Sequence, residues 1–338
     1  MFKDFQPVGI SISAGLAPCT NHCRYCQLAD RRLAHFSMDR FVAVVEKFLD
    51  YKTKTGFDIG QWLGYSFELA LNDFEKQLQI YRRSGFDLKV LLLGGLVMRR
   101  GHELRQWYQQ RQALGSDTVV ASYYGYGSRH DYLNNQVGHF AYQIEAQKIA
   151  AEVGLKNSQR IFLFKAALPE MERILDSIDE VGDSVTERVA YLLFYSGLGR
   201  AFENERITHE LLDNQPDRLK AFYRDDHEQW KSEEEWVEWV RDGKPVFPQN
   251  WLSLNLNDAN ITRIEQMSCE EIIDELTRRT KKAYSMIPER EELAEKYSDP
   301  TSEKLYMFMW DMECLWVDRF LARNPEVVFE RDLTHFGR

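Results

Sequence analysis

The sequence predicts an α/β chain: a partial (β/α)6 barrel over residues 1–205, followed by a mainly helical C-terminal extension over residues 206–338. Three observations carry this reading. Short β-rich runs alternate with helix-periodic segments six times before residue 205, which is the pattern of βα units feeding a parallel sheet. Six units are two short of a closed eight-fold barrel, so the sheet reads as an open one. After Arg200 the alternation stops and the charge changes: residues 1–205 hold 24 Lys and Arg against 24 Asp and Glu, while residues 206–338 hold 19 against 29.

The first strand is residues 8–14 (VGISISA), with near period-two character. Residues 37–51 form a helix, with Ser37 as N-cap and apolar positions at helical spacing. Residues 58–66 make a weaker strand. Residues 72–84 are helical and end near Gly85. Residues 89–93 (KVLLL) read as a buried strand. A helix over 101–114 stops at Gly115, a strand follows at 118–123, and a helix over 139–153 stops at Gly154. Residues 160–164 (RIFLF) form the fifth strand and 169–178 the next helix. The sixth strand, 188–195, runs into Gly197-Leu198-Gly199-Arg200. Beyond 205, residues 206–240 are acidic and helix-forming, 251–256 (WLSLNL) read as one strand, and 269–285 and 301–322 as helices.

Composition bounds the function. The chain has 338 residues, 44% hydrophobic and 13% aromatic, enough to bury a full core. No run approaches the ~18–20 apolar residues of a membrane span, so no membrane partner is expected. The first residues, Met1-Phe2-Lys3-Asp4-Phe5, lack a basic region leading into an apolar stretch, so a cytoplasmic location is expected. A net charge of −10 disfavours a nucleic-acid binder, which would carry a basic surplus.

The five cysteines are uneven. Cys19, Cys23 and Cys26 form a C-x3-C-x2-C run after the first strand, while Cys269 and Cys314 stand alone. Clustered cysteines in a chain of this kind read as metal or redox chemistry rather than a disulfide framework. Three thiolates on one loop can wrap one face of an iron–sulfur cube and leave one iron open. Zinc, with His22 inside the loop, is the alternative, but the second pair of ligands usual for zinc is missing from the sequence.

This motif, with Tyr25 before the last cysteine and a six-unit partial barrel around it, resembles the radical S-adenosylmethionine (SAM) enzymes. The resemblance covers roughly residues 5–205. It implies that Cys19, Cys23 and Cys26 each ligate one iron of a [4Fe-4S] cluster, with SAM chelating the fourth. It also implies reductive cleavage of SAM to a 5′-deoxyadenosyl radical that abstracts hydrogen, and an electron donor such as flavodoxin or ferredoxin. Many members carry Gly-Gly-Glu after the second strand; Gly64, Tyr65, Ser66 and Glu68 occupy that place here and would contact SAM. Ser122 matches the serine of a fourth-strand Ser-x-x-Gly and would bond the SAM ribose or carboxylate. Lys165, at the fifth strand's end, would pair with a SAM or substrate carboxylate, and Gly197 and Gly199 resemble the sixth-strand ending near adenine. His130 reads as a loop or capping residue.

Peptide-modifying relatives end in domains with further cysteines for auxiliary clusters. Here only Cys269 and Cys314 remain, so a single cluster is expected. Each lone cysteine reads as buried and inert, with Cys314 as a candidate hydrogen donor; Tyr124 and Lys165 complete the catalytic candidates. Trp230, Trp236 and Trp239 read as a packing stripe, or as recognition of a cationic partner. The function expected is hydrogen abstraction on a peptide or natural product. The alternatives are a small amino acid, sugar or nucleotide substrate, and a non-catalytic iron–sulfur or zinc protein.

Overall fold

The computed structural model describes residues 5–27, 33–63, 68–223, 230–244 and 250–334. Strand β1 (Gly9–Ala14) sets the pattern. Ile10, Ile12 and Ala14 are fully buried beneath helices, while Ser11 and Ser13 on the opposite face are half-buried. Helix α1 (Met38–Thr55) follows, and Phe41, Val44, Val45, Phe48 and Leu49 make its buried stripe at helical spacing. Its C-terminus closes at Gly56, in the left-handed region at φ 76°.

The chain then alternates as expected: β2 (Asp58–Leu63), α2 (Leu71–Arg83), β3 (Val90–Leu92), α3 (Gly101–Ala113), β4 (Thr118–Tyr123), α4 (Ser128–Asn134), α5 (His139–Glu152), β5 (Lys156–Leu163), α6 (Met171–Asp179) and β6 (Val185–Leu192). Every described strand pairing is parallel. The strands form two hydrogen-bonded groups, β2-β1-β7 and β3-β4-β5-β6. On the outer face Tyr123 Oη donates to Gln147 of α5 (2.9 Å), and Gln159 of β5 reaches Ile178 O at the end of α6 (3.0 Å). Residues of opposite parity in these strands therefore face the barrel interior.

Several segments depart from the sequence reading, among them β6, read as 188–195 and found at Val185–Leu192. Strand β5 starts four residues earlier than the apolar run at 160–164, because Asn157, Ser158 and Gln159 are buried with partners. Asn157 Nδ2 donates to Gln147 O (3.0 Å), and Ser158 Oγ donates to Glu187 (2.8 Å). Helix α4 has no apolar period long enough to show. The final aromatic helix begins at Met309 rather than 301, since Lys304–Tyr306 are bridged in extended form to Thr208 and Lys231.

Beyond residue 205 lie α7 (His209–Asp213), α8 (Asp217–Lys220), α9 (Glu233–Arg241), β7 (Trp251–Leu256), α10 (Ile261–Gln266), α11 (Cys269–Tyr284), α12 (Arg290–Tyr297) and α13 (Met309–Arg323). Capping boxes, Ser232 with Glu235 and Ser268 with Glu271, start α9 and α11. Strand β7 does not stay with these helices. It pairs along its full length with β1, on the side away from β2. Glu233 is buried and offset by Arg319, Trp316 Nε1 (2.8 Å) and Asp299 N (2.9 Å), tying α9 to α13. Trp230 and Trp236 are buried and serve packing. No helix among the described residues is long and apolar enough to cross a membrane.

Candidate active site

The cysteine loop leaves β1 at its C-terminal end and is braced from three neighbours. From the loop after β3, Gly95 O accepts Thr20 N (3.0 Å) and Leu96 O accepts Thr20 Oγ1 (2.7 Å). From α4, Leu133 O accepts Arg24 N (2.8 Å), and Asn134 Oδ1 accepts both Tyr25 Oη (2.8 Å) and the Cys23 thiol (3.5 Å). From the turn after β6, Leu198 N donates to Cys26 O (2.7 Å). The last contact requires a glycine beside it. Gly197 has φ 51°, and a Cβ there would stand 2.5 Å from Cys26 O and overlap Gln27 O.

An aromatic column joins the loop to the barrel wall. Tyr25 stacks on Tyr124 (centroids 3.8 Å apart, 24° between planes), and Tyr124 stacks on Phe162 of β5 (4.5 Å, 10°). Such pairs add about 0.5–1.5 kcal/mol each beyond their burial. Burial holds the hydroxyls of Tyr25 and Tyr124 well above the ordinary tyrosine range, with nearby cysteine groups adding to it and the Tyr25 hydrogen bond and Arg160 offsetting part of it at Tyr124, so both are neutral.

Behind the loop lies a buried imidazole relay. Tyr124 N donates to His130 Nδ1 (3.2 Å), which places the His130 proton on Nε2. That nitrogen is 3.0 Å from His139 Nδ1, leaving His139 with its proton on Nε2, 3.2 Å from the Asn21 side-chain amide. Two donors would meet if the amide nitrogen faced the ring, so the amide oxygen belongs there. Asn21, between Cys19 and Cys23, is thereby held by the relay. Burial pushes His130 well below the usual imidazole range, helped by His139, and brings His139 down to about 4.

A histidine kept neutral in this way makes stability depend on pH with a definite sign. Between about pH 6.5 and 4 the unfolded state binds more protons than the folded state, so the contribution is complete above 6.5 and drains as pH falls toward 4. For His139 alone this is about 3 kcal/mol. The urea midpoint should fall between pH 7.5 and 5, and His139→Gln should flatten that slope. An unchanged midpoint would mean that the native imidazoles bind protons as the unfolded ones do.

All five cysteines carry thiols, and Cys26 is buried while Cys19 and Cys23 are half-buried. Among the described residues no three His, Cys, Asp or Glu side chains converge as the ligands of one ion would. A cubane distributes its thiolates over separate irons, one each. Three thiols on a loop braced from β3, α4 and β6 are a donor set that fits it.

No protein-family model matches the chain, and no curated protein matches it. Solved structures do. Hexahistidine-tagged anSMEcpe with bound AdoMet is 12% identical, aligned over 94% of this chain and 98% of that one, with a TM-score of 0.50. The fold is that of the radical SAM enzymes. Also similar are SuiB of Streptococcus suis bound to precursor peptide SuiA (10% identity, 75% of this chain, 59% of that chain, TM-score 0.48) and coproporphyrinogen III oxidase (HemN) of Escherichia coli, a radical SAM enzyme (10%, 76%, 65%, TM-score 0.45). The chain spans less than two thirds of the length of these last two.

The radical SAM barrel places the residues singled out in the sequence as follows. Gly64, Tyr65 and Ser66 lie outside the described residues. Glu68 grips the loop after β3: it accepts Val97 N (2.8 Å) and takes both Arg99 amino groups (2.5 and 2.9 Å). Ser122 is on the inner face of β4, half-buried, one rung below Tyr124. Lys165 is exposed just past β5. Gly199 lies close to Phe194 O and Tyr25 O, so both glycines of that turn pack on the cysteine loop's own surroundings. Cys269 starts α11, donates to Lys47 O (3.5 Å), and is pushed up to about 11 by burial. Cys314 is fully buried on α13, and burial raises its thiol far above the ordinary range.

The sequence reading missed Arg160, on the inner face of β5 and paired across the sheet with Ser122. Its signal was present: an arginine opening an otherwise apolar run. The His130–His139 relay was missed because the partner is nine residues away and across a turn.

Proposed function

We propose that the chain is a radical SAM enzyme with one [4Fe-4S] cluster held by Cys19, Cys23 and Cys26, acting on a peptide or natural-product substrate. The observation that carries this is the braced C-x3-C-x2-C loop at the C-terminal mouth of a barrel with the radical SAM fold. When bound and reduced by a donor such as flavodoxin or ferredoxin, the cluster supplies the electron that cleaves SAM to methionine and a 5′-deoxyadenosyl radical, which abstracts hydrogen from the substrate.

The chain's own residues then have defined tasks. Thr20, Asn21, Arg24 and Leu198 hold the loop at fixed backbone positions. The Tyr25–Tyr124–Phe162 column excludes water from one side of the loop and keeps a flat apolar wall beside it. Ser122 offers a hydroxyl to SAM, and Lys165 is placed to meet a carboxylate at the rim. A smaller substrate, an amino acid, sugar or nucleotide, is the second reading; the half-buried serines on the inner face of β1 favour it.

Anaerobic reconstitution followed by dithionite and SAM tests the proposal. About four irons per chain and release of 5′-deoxyadenosine are expected. Stoichiometric zinc, or a full cluster that leaves SAM intact, would sink it and favour a non-catalytic metal protein.

A further inference from the structure

Strand β7 brings the C-terminal region into the barrel wall, and its register decides what it presents. Leu252, Leu254 and Leu256 are buried on the helix-covered face. Trp251, Ser253 and Asn255, of opposite parity, share the inner face. The Trp251 ring lies over β1 and β2 at the N-terminal end, where a Cβ on Gly9 would stand 2.9 Å from it and one on Gly60 3.5 Å. Above this floor the pairing stacks two polar rungs: Ser253 beside Ser11, then Asn255 beside Ser13. The upper rung is next to the cysteine loop, which begins as β1 ends.

Arg160 of β5, also at an inward-facing position, stands beside Ser122 of β4 in register, below the Tyr124–Phe162 stack. It is half-buried. Nearly every other half-buried arginine in the chain has a carboxylate beside it, as Arg99 has Glu68 and Arg188 has Asp179. The Arg160 side chain takes part in none of the ion pairs or hydrogen bonds found among the described residues, and the group that feels its charge is the neutral Tyr124 hydroxyl above it. A guanidinium drawn part-way out of water without a carboxylate is costly unless a ligand supplies the anion. The serine hydroxyls and the Asn255 amide supply donors and acceptors on the inner face of β1 and β7.

We propose that Arg160 and the Ser11–Ser253 and Ser13–Asn255 rungs form a substrate subsite that takes a carboxylate flanked by hydrogen-bonding groups. The anion is drawn to Arg160, and the polar groups beside it bond the β1–β7 wall. This rests on the radical SAM reading for the assignment of the interior as the substrate site, and it names the substrate's chemistry. It makes β7 the means by which the C-terminal region selects substrate, with Ser253 and Asn255 as specificity-determining residues. Two sources carry such a carboxylate: the free C-terminus of a peptide and a sugar acid.

Thermal-shift and equilibrium-dialysis measurements on the reconstituted protein distinguish them. One arm uses tri-alanine and its C-terminal amide; the other uses glucuronate and glucose. Binding of at least one carboxylate probe, with its neutral counterpart at least about tenfold weaker, is expected from the loss of a charge-assisted bond. Arg160→Gln should weaken the bound probe by about the same factor, and Arg160→Lys should restore part of it, which a merely structural arginine would not do. Asn255→Leu and Ser253→Val should weaken it with the Arg160 preference for the anion retained. The proposal is overturned if neither carboxylate binds, if the neutral partners bind equally, if Arg160→Gln binds like the wild type, or if saturating SAM displaces the probe, which would give Arg160 to SAM instead. Probe binding needs no SAM cleavage, so failure of the radical SAM reading would appear separately, as absence of 5′-deoxyadenosine.

Discussion

Replacing Cys19, Cys23 or Cys26 with Ala, one at a time, should abolish the proposed SAM cleavage and strip most of the iron from the reconstituted protein. The other two cysteines should behave differently: Cys269→Ala and Cys314→Ala are expected to keep about four irons per chain. The contrast follows from position. The three loop thiols sit within eight residues at the barrel mouth, and on the proposed assignment each removal takes away the anchor of one iron. Cys269 is on α11, bonded to the Lys47 carbonyl. Cys314 is fully buried on α13, and burial keeps its thiol protonated, the form least suited to metal ligation. Removing its sulfur opens a small cavity costing ~1 kcal/mol, a stability change that leaves iron content intact. Iron and sulfide quantitation with the visible spectrum reads both halves. Loss of iron in Cys269→Ala or Cys314→Ala would overturn the single-cluster assignment.

Gly197→Ala should produce the second large effect, through the backbone of the cysteine loop that Gly197 packs against. Two penalties coincide there. The backbone at φ 51° costs a non-glycine residue roughly 1–2 kcal/mol. The added methyl would also press on the Cys26 and Gln27 carbonyls, which belong to the loop itself and have no flexible end to yield. The loop gives way, the Leu198 N to Cys26 O bond is lost, and Cys26 moves. Iron content should fall by more than half and Tm by several degrees, about 4 °C or more for a loss of this size. Gly182→Ala is the control. Gly182 is also left-handed, at φ 76°, but an added Cβ meets nothing within 4 Å. It should lower stability modestly and keep its iron. Equal iron loss in the two variants would mean that strain alone, not the close approach, explains Gly197.

Local chemistry was legible in the sequence where it is written in consecutive residues. The C-x3-C-x2-C run, the strand at 118–123 and the strand at 251–256 carry their signal in spacing and period, and the two strands appear at those limits. What depends on a partner was not legible. Strand β5 begins in polar residues because Gln147 and Glu187 satisfy them, and neither is a neighbour in sequence. Glu68 stands where the sequence expects a SAM contact, and its carboxylate grips Arg99 and Val97 across the mouth. His130 reads as a capping residue until His139 is seen stacked on it at 5.2 Å. The acidic surplus, read as a solvated face, hides buried acids: Glu233, Asp311 and Glu313, of which Glu233 is offset by Arg319 and Glu313 by Arg290.

By itself the sequence determined the α/β alternation and the three thiols on one loop, because helical period, strand alternation and ligand spacing are properties of a few adjacent residues. The tertiary structure alone decided that β7 lies beside β1 and that Ser253 and Asn255 face inward. Those facts depend on pairing between segments some 240 residues apart, and the register of such a pairing is set by which face the helices bury. Leu252, Leu254 and Leu256 go under the helices, and the period of two sends their polar neighbours into the barrel.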